Sequence, residues 1–128
     1  MTPTSGLVLF AHGARDPEWA EPFRAIAAKV AASRPDLAVK LAFLEFQGPA
    51  LADAINELVA AGHGNIRIAP LFMAQGGHLK NDVPRLLDGI RAGHPSLKLE
   101  LLPAIGDVAE LRGAIADWLV RAAPEISA

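Results

Sequence analysis

The chain of 128 residues contains no cysteine. This absence excludes disulfide bonds, thiolate zinc sites and iron–sulfur clusters, so any bound metal must be held by imidazole, carboxylate or backbone oxygen. A chain of this length buries roughly two-thirds of the surface that its unfolded form exposes. We therefore expect a single α/β domain over residues 1–128 that folds without covalent cross-links.

Several other features are also lacking. There is no long basic run and the net charge is −2, which argues against nucleic acid as a partner. No stretch approaches the roughly 20 apolar residues of a membrane span, and the first six residues lack the pattern of a signal peptide. Neither a P-loop nor a G-x-G-x-x-G fingerprint is present, which disfavours nucleotide binding. We expect a cytoplasmic protein with small-molecule partners, no nucleic acid and no membrane.

Four apolar runs alternate with segments of helical periodicity, and this pattern predicts four strand-then-helix units. Each helix then serves as a crossover between parallel strands. The predicted fold is a three-layer α/β, flavodoxin-like half-unit with a four-stranded parallel sheet of order 2-1-3-4 and helices on both faces. Pro84 indicates that the third helix begins near Asp82 or carries this proline in its first turn. The predicted strands are 6–11, 38–46, 66–72 and 97–102, and the predicted helices are 17–33, 50–61, 79–92 and 108–122.

Two of the four histidines follow predicted strands. His12 comes after strand one and His78 after strand three, and ligands of doubly wound sheets bind beyond the carboxyl ends of the strands. A facing pair of imidazoles suits divalent-metal binding, proton transfer, or both, whereas a lone His12 beside Gly13 would be read as a turn residue. His63 and His94 precede strands, so we expect them at the opposite edge as loop residues.

Other side chains are expected at the same edge as His12 and His78. Glu45, placed at the end of strand two, is a catalytic candidate that either completes a His₂Glu set or accepts a proton, or it is an ordinary solvent-facing carboxylate. Arg15, Lys80 and Arg85 either pair with carboxylates of an acidic ligand or are simply solvated. The Gly76-Gly77 pair allows close approach of the backbone to a flat ligand.

Three segments carry a resemblance to a known family. They are His-Gly-Ala-Arg-Asp-Pro at 12–17, Phe-Leu-Glu at 43–45 followed by Gly-Pro-Ala-Leu-Ala-Asp-Ala-Ile at 48–55, and Pro-Leu-Phe-Met-Ala-Gln-Gly-Gly-His-Leu-Lys-Asn-Asp-Val-Pro at 70–84. Together they resemble the small sirohydrochlorin cobaltochelatases (CbiX type) of the class II chelatase superfamily.

The resemblance implies insertion of a divalent metal into sirohydrochlorin without ATP, in cobalamin or siroheme synthesis. Co²⁺ is favoured over Ni²⁺ and Fe²⁺, and the metal is a substrate, with no tightly bound cofactor. By the same resemblance, His12 is metal ligand and proton acceptor, His78 is the second ligand, and longer relatives carry a glutamate at the position of Glu45. It further implies that such chains pair as homodimers. The implied contacts to the macrocycle are Gln47, Met73, Ala74, Gln75, Gly76 and Gly77, with Arg15 and Lys80 facing its carboxylates.

Three alternatives remain open. The first is a metal or tetrapyrrole chaperone that binds but does not turn over. The second is a histidine-dependent phosphoryl-transfer enzyme, disfavoured because Ala11 stands where histidine phosphatases have an arginine before His-Gly. The third is a structural or interaction module, for which His12→Ala and His78→Ala would leave function intact.

Overall fold

A computed structural model describes residues 5–126, apart from the side chain of His78. It contains four strands and four α-helices in strict alternation, as the periodicity predicts. The strands are β1 (Ser5–Ala11), β2 (Leu37–Phe43), β3 (Asn65–Pro70) and β4 (Lys98–Leu101). The helices are α1 (Glu21–Ser33), α2 (Leu51–Ala60), α3 (Gly77–Gly93) and α4 (Ala109–Ala122), and short 3-10 helices, Pro17–Ala20 and Ile105–Asp107, precede α1 and α4.

The four strands form one parallel sheet of order β2-β1-β3-β4. This confirms the predicted order. β1 is central, and its Phe10 pairs with Ala42 of β2 and with Pro70 of β3. The residues that follow β1, β2 and β3 are consequently brought to one edge of the sheet.

One face of the sheet carries the larger core, because α2 and α3 both press apolar side chains onto it. Ile55 and Leu58 of α2 and Leu87 of α3 are almost fully buried. Burial of each such side chain stabilises the fold by about 1.5–3 kcal/mol. Their partners from the strands are Val8, Phe10, Ala42, Ile66, Ile68 and Leu99.

The opposite face is covered by α1 over β2 and β1. The 3-10 helix that precedes α1 is capped at its start, because the Asp16 side chain accepts a hydrogen bond from the Glu18 N–H (2.9 Å) and Pro17 follows directly. Trp19 stacks on Phe23 (ring centroids 4.7 Å apart) beside a small buried cluster, so this tryptophan is a packing residue. The cluster consists of Ala11, Ala20 and Phe43.

The fourth helix differs from the others. No residue of α4 is buried, and the element it packs against is the 3-10 turn Ile105–Asp107. The half of the sheet face over β3 and β4 consequently keeps Arg67 and Glu100 exposed, where they form an ion pair of 3.0 Å.

Three predicted boundaries are wrong. β2 ends at Phe43 and β3 at Pro70, each earlier than the apolar runs suggest. α3 begins at Gly77, so Pro84 lies inside the helix and not in its first turn. An interior proline destabilises a helix by about 3 kcal/mol, but packing can offset this. The side chains of α3 that pack into the core are Val83, Leu87 and Ile90.

Among the described helices, none combines the length and apolarity that crossing a bilayer requires.

Candidate functional site

The candidate site is the edge at which β1, β2 and β3 end. The loops after these strands contain His12, Glu45 and Met73, which lie close in space because the strands are parallel neighbours in the sheet. This is where ligands of open α/β sheets bind.

The loop after β1 is tied to the loop after β2 by backbone hydrogen bonds. The N–H groups of Leu44 and Glu45 donate to the carbonyls of Ala11 (2.9 Å) and His12 (3.0 Å). Gly13 has a φ of +88°, and a Cβ at this position would overlap the Glu45 carbonyl oxygen. Glycine is therefore required for the two loops to approach this closely.

His12 is exposed and lies against a buried aromatic pair. Its ring stacks on Phe72 with the centroids 4.2 Å apart and a tilt of 38°, and Phe72 is 1% exposed. Phe72 in turn makes an edge contact with Phe10, at 5.4 Å. Among the described side chains, which do not include that of His78, none forms a hydrogen bond with the His12 ring nitrogens, and the contact that positions the imidazole is its packing on Phe72.

Glu45 and Gln47 play different parts in the second loop. Glu45 is exposed and lies two residues beyond the end of β2, so its predicted place at a strand terminus is wrong. Gln47 is half-buried, and its side-chain oxygen accepts a hydrogen bond from the Ala14 N–H (3.1 Å). Gln47 therefore fastens the β1 loop through one lone pair of its side-chain oxygen, which leaves the second lone pair and the amide N–H₂ for a ligand.

An exposed aromatic ring and a guanidinium form the rim of the same loop. Arg15 lies over the ring of Phe46 at 5.1 Å from its centroid, within the range of a cation–π contact. Phe46 has a φ of +65°, unusual for a residue with a side chain, and this backbone conformation turns the chain at the rim. Leu44 and Met73 are also exposed at this edge of the sheet, so the edge is apolar and carries a positive charge at Arg15.

The loop after β3 leads into α3. Met73, Ala74 and Gln75 form this loop, Gly76 is the residue before the helix and Gly77 is its first residue. The backbone places His78 second in α3 and Lys80 in the first turn, where Lys80 is exposed. The side chain of His78 lies outside the described part of the structure. The positive end of the helix dipole at this edge favours an anionic ligand.

Few of the described side chains at this edge of the sheet could bind a metal ion. No group of three or more histidine, aspartate or glutamate side chains converges in the described part of the chain. His12, with an exposed imidazole, and Glu45, with an exposed carboxylate, are the described donors of the type that divalent metals prefer. A metal held here would complete its coordination with water, with the His78 side chain or with groups from a second molecule.

His63 and His94 lie at the opposite edge, as predicted. Both line a cavity of about 350 Å³ beyond the carboxyl ends of α2 and α3. His63 is 7% exposed and its Nδ1 has no partner among the described residues, whereas the Nε2 of half-buried His94 lies 3.2 Å from Asn56 Oδ1. Arg85 lines a concavity shared with Asn56 and His94, so its predicted place beside His12 is wrong.

Sequence reasoning missed two residues of the site. Phe72 is buried beneath His12, and Phe46, which the sequence places in the predicted strand 38–46, carries the Arg15 contact. The Phe46-Gln47-Gly48-Pro49 segment, rich in turn residues, was the available signal that the strand had already ended.

A family model described as CbiX matches residues 6–122. The chain belongs to the CbiX family. This CbiX chain is 40% identical over 84 residues to a sirohydrochlorin cobaltochelatase of Saccharolobus islandicus, covering 64% of this chain and 62% of that protein. It is 36% identical over 94 residues to a sirohydrochlorin cobaltochelatase of Methanothermobacter thermautotrophicus, covering 72% and 65%. The CbiX chain thus spans less than two-thirds of the length of these curated relatives.

The crystal structure of a CbiX protein from Marinobacter aquaeolei VT8 has the same fold. The TM-score is 0.79 at 30% identity, and the match covers 92% of this chain and 96% of that one. The four-stranded CbiX architecture described above is therefore shared nearly end to end with a solved member of the family.

Proposed function

We propose that this CbiX protein inserts a divalent metal, with Co²⁺ favoured, into sirohydrochlorin in tetrapyrrole biosynthesis. The observation that carries the proposal is the exposed His12 imidazole, stacked on buried Phe72 at the edge where three strands end. The names of its relatives from Saccharolobus islandicus and Methanothermobacter thermautotrophicus support the same activity.

The chemistry requires a ligand that can also accept a proton. Insertion of M²⁺ expels the two protons of the pyrrolic nitrogens, and the incoming ion must exchange water for ligands that it can leave again. A neutral imidazole meets both needs. His12 would bind the ion on one face of the macrocycle through its one free lone pair, and after the ion has passed to the ring nitrogens this lone pair would accept one of the expelled protons, while exposed Glu45 would accept the other.

The rim explains how an acidic chain would bind a macrocycle with many carboxylates. Phe46 and Met73 offer apolar surface to the ring, and Arg15 is held over Phe46 in position to pair with a carboxylate. Lys80 and the first turn of α3 add positive charge beside it. The backbone of the remaining loop would lie along the ring, through Ala74, Gln75, Gly76 and Gly77.

The second metal ligand in this proposal is His78. The backbone position of His78, second in α3 at the same edge as His12, supports this assignment. We further propose that two copies of the chain pair in the cytoplasm as a homodimer, because one copy offers too few described side chains to surround a metal.

The test is an anaerobic insertion assay with sirohydrochlorin and Co²⁺, Ni²⁺ or Fe²⁺, followed by the absorbance change of the macrocycle. We expect many turnovers per chain, with Co²⁺ among the metals accepted. Stoichiometric binding without turnover would contradict the enzyme proposal and would favour a chaperone.

The histidines are tested individually in the same assay. His12→Ala and His78→Ala are each expected to lower the insertion rate by about 100-fold or more, the usual size of an acid–base contribution. Neither should change stability much, because His12 is exposed in the loop after β1 and His78 lies in the first turn of α3. The matched control is His94→Ala, which lies half-buried at the opposite edge; wild-type rates in the His12 variant would refute the assignment. His63→Ala is a poor control because this side chain is buried.

A further inference from the structure

The cavity at the edge opposite the candidate site is lined by two histidines. Its volume is about 350 Å³, at the lower end of the range for small-molecule sites, which suits an ion with its bound waters. His63 follows α2 and His94 follows α3, and both contribute to the wall. The described residues that line the cavity include no lysine, arginine, aspartate or glutamate. The chemistry available in this cavity is therefore mainly that of imidazole.

The backbone around both histidines is held by hydrogen bonds. The His63 N–H donates to the Leu58 carbonyl at the end of α2 (3.0 Å), and His94 is the residue that caps α3. The Lys98 N–H donates to the Gly64 carbonyl (2.9 Å), which joins the turn after α2 to the turn after α3. The two imidazoles are consequently attached to turns whose separation is fixed.

The His63 ring has a nitrogen without a partner. The residue is 7% exposed, and its Nδ1 is buried with no hydrogen bond to any described group. A buried polar atom that stays unpaired costs free energy, so this nitrogen indicates a ligand. The last torsion of a histidine side chain is broad and roughly two-fold, so a turn of the ring about its Cβ–Cγ bond can present either nitrogen to the cavity.

The His94 ring is oriented by a neighbouring side chain. Its Nε2 lies 3.2 Å from Asn56 Oδ1. Because a carbonyl oxygen can only accept, Nε2 carries the proton and Nδ1 keeps a free lone pair. Histidines that bind metals almost always donate their other ring N–H to a group of this kind. Asn56 is therefore placed as a positioning residue for a metal ligand.

The surrounding charge favours a cation. α2 and α3 both end at this cavity, and the carboxyl end of a helix carries a partial negative charge. No described carboxylate lines the cavity, so Mg²⁺ and Ca²⁺ lack the oxygen ligands that they prefer. Two neutral imidazoles suit Ni²⁺, Cu²⁺ and Zn²⁺ instead.

We propose that His63 and His94 bind a divalent transition-metal ion, in a second site separate from the one that contains His12. Water completes the coordination of the ion. This inference goes beyond the proposed insertion of metal into a macrocycle, because the two sites lie at opposite edges of the sheet and share no residue. A bound ion would connect the turn after α2 with the turn after α3.

The first experiment counts bound Ni²⁺ by equilibrium dialysis without any tetrapyrrole. The parent variant carries His12→Ala and His78→Ala, so its result does not depend on the proposed chelatase activity. We expect one Ni²⁺ per chain. Adding His94→Ala should weaken binding at least about 100-fold, because losing a ligand costs more than losing the group that orients it. A parent that binds no Ni²⁺, or that binds it equally without His94, overturns the inference.

The second experiment tests the role of Asn56 in the same parent. Asn56 is exposed, and Asn56→Ala should lower the Ni²⁺ affinity by about 10-fold or more without removing a ligand. The matched control is Glu57→Gln, at the next exposed position of α2 and outside the cavity, which should bind Ni²⁺ as the parent does. An Asn56→Ala variant with the affinity of the parent would contradict ligation by His94.

The third experiment identifies both ligands by NMR of the parent labelled with ¹⁵N in its histidine rings. Paramagnetic Ni²⁺ at one equivalent should broaden the ring signals of His63 and His94 together, whereas Mg²⁺ should leave both unchanged. Broadening of only one ring, or of neither, overturns a site made by two imidazoles. This measurement needs no substitution at buried His63 and therefore does not depend on the folding of a His63 variant.

Discussion

At the scale of single residues, the site depends on close approaches that particular side chains permit. Gly13 lets the β1 loop approach the Glu45 carbonyl, and Phe72 supports the His12 ring from below. The sequence showed that His12 and Gly13 follow a strand, so their location was predictable. The stack on Phe72 was not, because it depends on which way the Phe72 ring points after β3 ends.

Gly13→Ala is expected to lower the free energy of unfolding by about 2 kcal/mol or more. The substitution combines a left-handed backbone with a steric overlap at Glu45. Urea denaturation measures the loss. Gly113→Ala is the control: this position lies within α4 with open space around it, so alanine should be neutral or add roughly 0.5–1 kcal/mol. Equal effects at both glycines would contradict the close approach.

The Arg34–Asp36 ion pair predicts a measurable titration. Two hydrogen bonds of 2.8 and 2.7 Å join the guanidinium to the carboxylate. Hydrogen bonding to Arg34 lowers the pKa of the Asp36 carboxyl from its usual 3.8. The pair therefore stabilises the fold above about pH 4 and loses this contribution as the pH falls through the lowered pKa. NMR titration should give an Asp36 midpoint that rises in Arg34→Gln; an unchanged midpoint would contradict the pairing. Because both groups are exposed, the effect on stability should be small.

At the scale of elements, periodicity located all eight strands and helices, while their ends depended on neighbours. Apolar residues continue to Phe46 in the sequence, but β2 ends at Phe43. It ends there because the next two N–H groups, of Leu44 and Glu45, donate to carbonyls at the end of β1 and in the loop after it. In α3, local rules placed Pro84 near the start of the helix. The helix begins earlier because its apolar side packs on the core, and no local signal reports that contact.

Pro84→Ala is expected to raise the free energy of unfolding by about 1–3 kcal/mol. Proline at the eighth position of α3 leaves the Lys80 carbonyl without its helical donor. Thermal and urea denaturation measure the gain. Arg85→Ala, at the next exposed position, should stay within about 0.5 kcal/mol of wild type. A destabilised Pro84→Ala variant would show that the proline shapes the first half of the helix.

At the scale of the whole molecule, we expect the fold to be stable without a bound metal ion, because the metal is a substrate and not a structural component. The core consists of apolar side chains from three helices and the sheet, and no three metal-binding side chains converge in the described residues. Addition of EDTA should therefore change the melting temperature by no more than about 1 °C. Addition of Co²⁺ should raise the melting temperature only by the amount that binding to the native state provides. Unfolding on chelation would contradict this view. His12→Ala should reduce the stabilisation by Co²⁺.

The residues alone determined the parallel order of the strands and the edge shared by His12 and the start of α3. They could do so because crossover helices force parallel pairing, and strand polarity then decides which loops meet. Only the tertiary structure decided that Phe72 lies beneath His12 and that Arg85 lies away from the edge of the sheet that carries His12. It also decided where β2 ends and that α4 does not pack on its own sheet. Each of these depends on contacts between residues far apart in the chain, and periodicity describes only which side of an element is apolar, not what will cover it.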